Sequence, residues 1–246
     1  TAIKLILGLL RPTRGSVTVM GAPAADVRKN RQIGYLPEES YLYPFLTGEE
    51  TLRFYGRLFG LRGRTLRRRV DGLLDLVRLD RRARKRTLKE YSKGMSRRIG
   101  LAQALINEPD FVLLDEPTTG LDPIGCREMK DLILEMKANG RSVLMSSHLL
   151  ADVEDVCDRI AILARGEMKE CGRVHELLTV RDVFQLRARK VSDDLARELR
   201  EILAKRGAEG VEVSHPTTTL ESLFLHVIGE GEKSESEAAP AARSSD

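Results

Sequence analysis

Two adjacent carboxylates follow one of the most apolar short runs in the 246-residue sequence. Residues 111–114 (Phe-Val-Leu-Leu) form an unbroken apolar run, typical of a strand buried on both faces of a sheet, and Asp115 and Glu116 come directly after it. In α/β proteins the carboxyl ends of the strands form the edge at which ligands bind. An aspartate there can hold Mg²⁺ on a phosphate ligand, and the next glutamate can orient or deprotonate an attacking water. The simpler interpretation is that the two acids only mark the end of a strand.

A second segment offers a site for an anion. Ser92 and Gly94 lie at the start of a helix predicted over 95–107. A hydroxyl, a glycine and free backbone N–H groups at a helix start can together bind a negatively charged group. The simpler interpretation of Ser92 is an ordinary helix N-cap beside a flexible glycine.

Two more polar positions follow these segments. Asp122 closes the run Thr-Thr-Gly-Leu-Asp that comes shortly after Glu116, and His148 follows a predicted buried strand over 142–146. A histidine there can donate a hydrogen bond to a phosphate oxygen and contact Glu116. The simpler interpretations are a turn with a helix N-cap at Asp122 and an ordinary histidine at a helix start.

Strands and helices alternate over roughly the first 175 residues, which predicts an α/β fold with a mainly parallel sheet. The helices between 47 and 107 have no strand among them, so we expect a helical subdomain over about 45–107, inserted into the sheet domain. Thr47 and Glu50 predict a capping box at its first helix. The predicted strands are 16–20, 32–36, 111–114, 142–146, 159–163 and 167–170. The predicted helices are 2–10, one after Thr47, 64–78, 95–107, 123–138 and 149–156. After residue 180 the sequence predicts strands over 183–191 and 211–213, a charged helix over 193–206, and a second capping box at Thr218 and Glu221.

In this order the segments resemble the motifs of the ATP-binding cassette (ABC) family, and the resemblance covers residues 1 to about 175. Residues 91–95 resemble the family signature, and 113–116 resemble the Walker B strand with its catalytic glutamate. Residues 120–122 are similar to the D-loop and His148 to the switch histidine. Residues 33–38 resemble the Q-loop, which joins the catalytic core to the helical subdomain. The shared order and spacing are far more specific than any single motif.

The resemblance implies a fold, two cofactors and a set of site residues. The fold is a P-loop NTPase-like (RecA-like) core, and the cofactors are ATP and Mg²⁺. Asp115 and Glu38 are the expected metal ligands, and Glu116 and His148 the expected catalytic residues. The expected nucleotide contacts are Thr1, Glu38, Ser92, Lys93, Gly94, Met95 and Asp122.

Three positions depart from the common form of these motifs. Lys93 and Met95 stand where the signature usually has Gly and Gln, and Glu38 stands where the Q-loop usually has Gln. These variants resemble the branch of the family that contains ATPases of drug, polysaccharide and lipid exporters. Residues 218–225 resemble the C-terminal extension of that branch. We therefore interpret the departures as subfamily features.

No G-x-x-x-x-G-K-[ST] phosphate-binding loop occurs in the sequence, although this loop supplies most phosphate contacts in such proteins. Residues 1–15 resemble the segment that directly follows the loop, and Thr1 would be the residue after its final Lys-Ser/Thr. We expect the sequence to be truncated just after the loop; natural loss of the loop is the alternative.

The sequence predicts three regions: an ABC ATPase domain over 1–178, a small α+β accessory domain over 179–229 and a disordered tail over 230–246. The expected function is the ATP-binding and ATP-hydrolysing subunit of an ABC transporter, in which ATP-driven dimer closure is coupled to substrate export by separate membrane subunits. Its expected place is the cytoplasmic face of the cell membrane, as a peripheral protein. The expected partners are transmembrane permease subunits and a second ABC ATPase subunit. The alternatives are a soluble ABC ATPase acting on ribosomes or DNA, and a non-hydrolysing regulatory subunit.

Composition narrows these choices. Residues 62–98 hold 15 basic and 4 acidic residues, but they alternate with apolar positions as in a solvated amphipathic helix, and nucleic acid is not an expected partner. The three cysteines form no C-x-x-C pair, which favours a reducing compartment. The apolar and aromatic residues 41–46 form either a contact for a permease helix or part of the core of the helical subdomain.

Overall fold

The computed structural model describes residues 1–179 and 191–211. Contacts divide the chain into two compact units, Thr1–Val174 and His175–Asp246. The predicted domain boundaries at 178 and 229, and the predicted tail, remain predictions. Within the described residues, no helix combines the length and the apolar character that crossing a bilayer requires.

The first unit alternates strands and helices. Its strands are β1 (Thr18–Val19), β2 (Ala22–Pro23), β3 (Ile33–Leu36), β4 (Phe111–Asp115), β5 (Ser142–Ser146), β6 (Arg159–Ala164) and β7 (Glu167–Arg173). Its helices are α1 (Ala2–Ile6), α2 (Gly48–Leu58), α3 (Gly63–Leu76), α4 (Lys93–Ala104), α5 (Pro123–Ala138) and α6 (Leu150–Val156), and α7 (Val174–Leu178) follows at the boundary. Short 3-10 turns lie at Val27–Gln32, Ala83–Lys85 and Leu88–Glu90.

The central sheet is parallel, in the order β3-β4-β5. Leu36 pairs with Leu114, and Asp115 pairs with Ser146, so the carboxyl ends of the three strands meet at one edge. The β1-β2 and β6-β7 pairs are antiparallel hairpins. The parallel sheet and the helices that connect its strands agree with the α/β fold class predicted from the sequence.

Side chains on both faces of the sheet are buried. Val112 and Leu114 of β4 face the larger core, which α2, α3, α4 and α5 complete. Leu113, between them, faces a second core formed with α1 and the β1-β2 hairpin. This alternation explains why β4 is apolar at successive positions, because a strand covered on both faces has no solvent side.

Helix α4 approaches strand β3 very closely. A Cβ atom placed on Gly34 would lie 2.2 Å from the carbonyl oxygen of Ala104. Only a residue without a side chain permits this distance, so Gly34 fixes the position of α4 against the sheet. The last turn of α4 is therefore held directly against β3.

Several predicted elements differ from the structure in their bounds or burial, and for three of them the physical reason is clear. Helix α1 ends at Ile6, not at residue 10, because Gly8 adopts φ +75° and its backbone N–H bonds the carbonyl of Leu5, which closes the helix with a left-handed turn. Strand β5 is not fully buried, since in the described sheet it pairs only with β4 and Leu144 stays exposed. Helix α4 begins at Lys93, two residues before the predicted start, because the hydroxyl of Ser92 caps it.

The described part of the second unit contains helix α8 (Asp193–Lys205), capped by the hydroxyl of Ser192. It matches the charged helix that the sequence predicts over 193–206. The strand predicted over 183–191 falls almost wholly outside the described residues. The strand predicted over 211–213 lies outside them except for its first residue, and the capping box at Thr218 and the tail lie wholly outside them.

Candidate functional site

Asp115 ends β4 at the carboxyl edge of the sheet, with each carboxylate oxygen near a hydroxyl. Ser146, its neighbour on β5, donates to Oδ1 at 2.6 Å, and Tyr35 on β3 donates to Oδ2 at 3.4 Å. Burial and then the negative charge of Asp115 raise the pKa of Tyr35, so the phenol stays protonated and remains a donor. Three adjacent strands thus orient one carboxylate.

The backbone of Glu116 is in a left-handed conformation, with φ +49°. For a residue other than glycine this conformation costs about 1–3 kcal/mol, and it persists only where the surroundings impose it. Here the N–H of Glu116 donates to the carbonyl and to the hydroxyl of Ser146, both at 3.2 Å. This turn directs the chain away from the strand as soon as β4 ends.

The side chain of Glu116 is mostly shielded, and two polar groups meet one of its oxygens. Oε2 lies 2.7 Å from Nδ1 of His148 and accepts a hydrogen bond from the hydroxyl of Thr119 at 3.0 Å. The Glu116 side chain is 18% exposed, whereas that of His148 is 64% exposed. The carboxylate of Glu116 is therefore held in place by protein groups, while the imidazole of His148 is open to solvent.

Arg97 on α4 is a buried cation behind this edge. Its guanidinium donates to the carbonyl oxygens of Asp115 at 2.6 Å, Glu116 at 2.7 Å and Pro117 at 3.1 Å. It also donates to the carbonyl of Glu38 at 2.8 Å and to that of Pro37. Burial lowers the pKa of Arg97, and the charges of Asp115 and Glu38 oppose that shift, so arginine keeps its charge.

The predicted signature lies at the exposed start of α4. The hydroxyl of Ser92 accepts the backbone N–H of Met95 at 3.2 Å, so the helix N-cap interpretation of Ser92 is confirmed. The side chain of Lys93 lies over Gly120. A Cβ atom placed on Gly120 would be 1.9 Å from Nζ of Lys93. A Cβ on Gly94 would lie 4.0 Å from Leu121. The signature and the predicted D-loop are thus neighbours within one chain.

The structure brings together only part of the predicted site. Asp115, Glu116 and His148 form one cluster, and Glu38 joins it through its backbone carbonyl while its side chain is exposed. Asp122 caps α5 through Gly125 at 2.7 Å, as predicted for an N-cap. Among the described residues, no hydrogen bond joins Thr1, Ser92 or Asp122 to that cluster.

Sequence reasoning missed Arg97, Tyr35 and the role of Ser146. Arg97 carried a detectable signal, because it shares the inner face of α4 with Leu101 and Ala104 at helical spacing, and an arginine on an apolar face needs partners. Its partners come from two distant segments, so no sequence pattern names them. Tyr35 and Ser146 are revealed only by the pairing of β3 and β5 with β4.

A parallel sheet with an acidic pair at its carboxyl edge, beside a helix that begins at an exposed serine and a half-buried glycine, is typical of nucleotide-binding domains of the P-loop class. The sequence pattern of the family described as "ABC transporter" matches residues 1–119. The chain belongs to the ABC transporter family.

Named relatives support this assignment. An uncharacterised ABC transporter ATP-binding protein of Synechocystis is 46% identical over 179 residues, which cover 72% of this chain and 51% of that protein. The Nod factor export ATP-binding protein I of Cupriavidus pinatubonensis is 31% identical over 255 residues, covering 93% of this chain and 78% of that protein. The chain spans about half the length of the curated relatives that it matches at 41–46% identity.

A solved structure shares the fold. It is a dimeric ATP-binding cassette in a post-hydrolysis state, bound to ADP and Pi. The match has a TM-score of 0.62 and 26% sequence identity, and it covers 70% of this chain and 78% of that one.

Proposed function

We propose that this chain is the ATP-binding and ATP-hydrolysing subunit of an ABC transporter, in which closure of an ATPase dimer drives separate membrane subunits. The observation that carries the proposal is the contact of Glu116 with His148 beside Asp115, at the carboxyl edge of β4. The family supports the same conclusion, since its relatives are ABC transporter ATP-binding proteins.

Glu116 is the proposed general base. One oxygen is held by His148 and Thr119, so the carboxylate cannot turn freely and its second oxygen can accept a proton from water. His148, which is more exposed, would present its second ring nitrogen, Nε2, to the γ-phosphate. Catalysis then consists mainly of positioning and electrostatic stabilisation, as in other phosphoryl-transfer sites.

The donor set at this edge fits Mg²⁺. Among the described residues no group of three or more His, Cys, Asp or Glu side chains could hold a metal by itself. Mg²⁺ does not need such a cage, because it keeps several waters and binds one or two carboxylates together with substrate phosphates. Asp115, with Glu38 as the second carboxylate, would hold the ion, which would supply charge neutralisation on the phosphates.

The second half of each ATP site is proposed to come from a second ATPase subunit. Ser92 and Lys93 are exposed at the start of α4, where free N–H groups and the helix dipole attract an anion. Gly94 and Met95 complete this segment, and Asp122 lies on the neighbouring turn. In a head-to-tail dimer the segment faces the γ-phosphate bound to the other subunit, which explains its separation from Glu116 in one chain.

The aromatic segment after Glu38 is the proposed contact for a permease subunit. The side chains of Tyr41, Tyr43 and Phe45 are 84%, 57% and 79% exposed, so they do not form the core of the helical subdomain. Tyr43 packs edge-to-face on Phe54 of α2, with ring centroids 6.1 Å apart. Three exposed aromatic residues in a short segment are typical of a protein contact surface.

The finer assignments follow from this scheme. Transmembrane permease subunits would place the chain peripherally on the cytoplasmic face of the membrane, and the Nod factor export relatives favour export as the direction of transport. We propose a small accessory domain over 179–229, a tail over 230–246 and Thr1 as part of the nucleotide site.

The test compares phosphate release from Mg·ATP by the intact gene product and by two variants. Glu116→Gln should lower kcat by about 10²–10⁴-fold while ATP affinity is kept, because an amide of similar size cannot take a proton from water. Asp115→Asn should also weaken the affinity for Mg·ATP, since it removes charge from the metal ligand. Hydrolysis by Glu116→Gln at the wild-type rate would contradict the proposed function.

A further inference from the structure

We propose that Arg97 is a positioning residue for hydrolysis. Its side chain holds the backbone of Asp115, Glu116 and the Glu38 segment against α4, the helix that begins with the predicted signature. The proposal rests on the proposed function. Its basis is the set of contacts that a single buried side chain makes with two chain segments distant in sequence.

Every donor of Arg97 is used. The guanidinium has five N–H groups in a planar fork, and five carbonyl oxygens accept them. Nε donates to the carbonyl of Pro117, and one terminal nitrogen donates to the carbonyls of Asp115 and Glu116. The other terminal nitrogen donates to the carbonyls of Pro37 and Glu38. The acceptors belong to the ends of β3 and β4, so one side chain joins the two strand exits.

The acceptors are backbone oxygens and not carboxylates. Arg97 therefore places its positive charge beside Asp115, Glu116 and Glu38 without hydrogen bonding to any of their carboxylate oxygens. An arginine paired directly with Glu116 would compete for the oxygen that must accept a proton. The observed arrangement reduces repulsion among the three carboxylates and leaves them available to water and metal.

The contacts also hold an unfavourable backbone. Glu116 has φ +49°, and its carbonyl accepts from Arg97 while its N–H is bound by Ser146. Removing the guanidinium frees one side of this turn. A shift of about 1 Å in a catalytic group can lower a rate about 10²-fold, so loss of Arg97 should act mainly on kcat.

Arg97 lies three residues after Gly94 on the same helix. The signature and the catalytic edge are consequently joined through one turn of α4 and one side chain. A displacement of the first turn of α4 is transmitted directly to the carbonyls of Glu38 and Glu116.

The experiment uses the intact gene product with Arg97→Ala, Arg97→Lys and a matched control, Arg98→Ala. Arg98 is the next residue of α4 and also mostly buried, but it bonds Glu128 and the carbonyl of Arg78, away from the catalytic edge. The measurements are kcat, the dissociation constant of Mg·ATP, and Tm, each with and without added guanidinium chloride in the low millimolar range.

We expect Arg97→Ala to lower kcat by about 10²-fold with a much smaller change in Mg·ATP affinity. Guanidinium should restore kcat severalfold in Arg97→Ala and leave wild type and Arg98→Ala unchanged. Arg98→Ala should lower Tm but keep kcat. Wild-type kcat in Arg97→Ala, or parallel losses of kcat and Tm in both Ala variants without rescue by guanidinium, would overturn the proposal.

Arg97→Lys decides the matter if Arg97→Ala does not fold. A lysine keeps the charge but offers three donors at one point, so it cannot reach five carbonyls, and kcat should fall in a folded protein. Wild-type kcat in Arg97→Lys would then overturn the positioning role. If the Arg97 variants keep the wild-type kcat while Glu116→Gln is inactive, only the proposed role of Arg97 is contradicted. An active Glu116→Gln contradicts the proposed function itself.

Discussion

Asp115 and Glu116 are adjacent residues with the same functional group, yet their surroundings differ. Both oxygens of Asp115 lie near hydroxyl donors on neighbouring strands. In Glu116, by contrast, a single oxygen contacts both Nδ1 of His148 and the hydroxyl of Thr119. The difference arises because the chain turns at Glu116, where φ becomes positive. Two adjacent acids thus acquire different proposed roles, a metal ligand and a base.

Ser146 links the two acids, and its removal gives a prediction at the residue scale. Its hydroxyl donates to Asp115 and accepts from the N–H of Glu116, so Ser146→Ala removes the donor to Oδ1 of Asp115 and leaves the Glu116 N–H with only the backbone carbonyl of residue 146. We expect the free energy of unfolding to fall by about 1–3 kcal/mol and kcat to fall as well. Urea denaturation and phosphate release measure the two effects.

Ser142→Ala is the matched control, because Ser142 is exposed at the other end of β5 and lies far from the acids along that strand. Its stability should stay within about 0.5 kcal/mol of wild type. Equal stability of Ser146→Ala and Ser142→Ala would show that the bonds of Ser146 do not contribute.

At the scale of elements, the close contact between β3 and α4 positions the site. Gly34 permits the approach of α4 to the sheet, and the same helix carries Ser92 at its start and Arg97 at its second turn. Both the anion-binding end and the guanidinium therefore depend on one helix–strand distance.

Gly34→Ala tests that distance. The added methyl group would meet the carbonyl oxygen of Ala104 at 2.2 Å and Cγ of Pro109 at 2.9 Å, and the backbone atom cannot rotate away. We expect a loss of about 1–3 kcal/mol in the free energy of unfolding, measured by urea denaturation.

The same exchange at Gly72 should have the opposite sign. Gly72 lies inside α3 with nothing within 4 Å of an added Cβ, so Gly72→Ala should stabilise the protein by about 0.5–1 kcal/mol. A Gly34→Ala variant as stable as wild type would mean that α4 does not approach β3 this closely in solution.

At the scale of the whole molecule, no hydrogen bond among the described residues joins the predicted signature to the proposed catalytic residues of the same chain. Ser92 and Gly94 face outward at one end of α4, while Glu116 and His148 lie at the edge of the sheet. This separation is expected for a site that only a second subunit completes. The solved relative bound to ADP and Pi is itself dimeric.

A trapped dimer is the corresponding prediction. The intact Glu116→Gln protein should bind Mg·ATP without hydrolysing it, so the closed dimer should accumulate because nothing resets it. Size-exclusion chromatography with light scattering should show twice the monomer mass with ATP and the monomer with ADP. Ser92→Arg, which places a large side chain at the proposed interface, is the control and should remain monomeric. A Glu116→Gln protein that stays monomeric in saturating Mg·ATP would contradict the composite site.

The sequence by itself determined most of the order of strands and helices, because burial periodicity and capping are local properties; the short strand β2 and helix α7 were not predicted. The capping box of Thr47 and Glu50, the cap of α5 by Asp122 and the apolar strand β4 all follow from residues within a few positions of one another. The placement of Asp115 and Glu116 at a strand end follows for the same reason. Family motifs then named the roles to expect.

Only the tertiary structure decided which of these residues meet. The contact of His148 with Glu116 spans 32 positions, and that of Arg97 with the carbonyl of Glu38 spans 59. Such contacts depend on strand pairing and on the distance between α4 and β3. A buried guanidinium bound only to backbone carbonyls leaves no pattern in its partners, because every residue has a carbonyl. The sequence therefore identified the acids, and the fold identified what holds them.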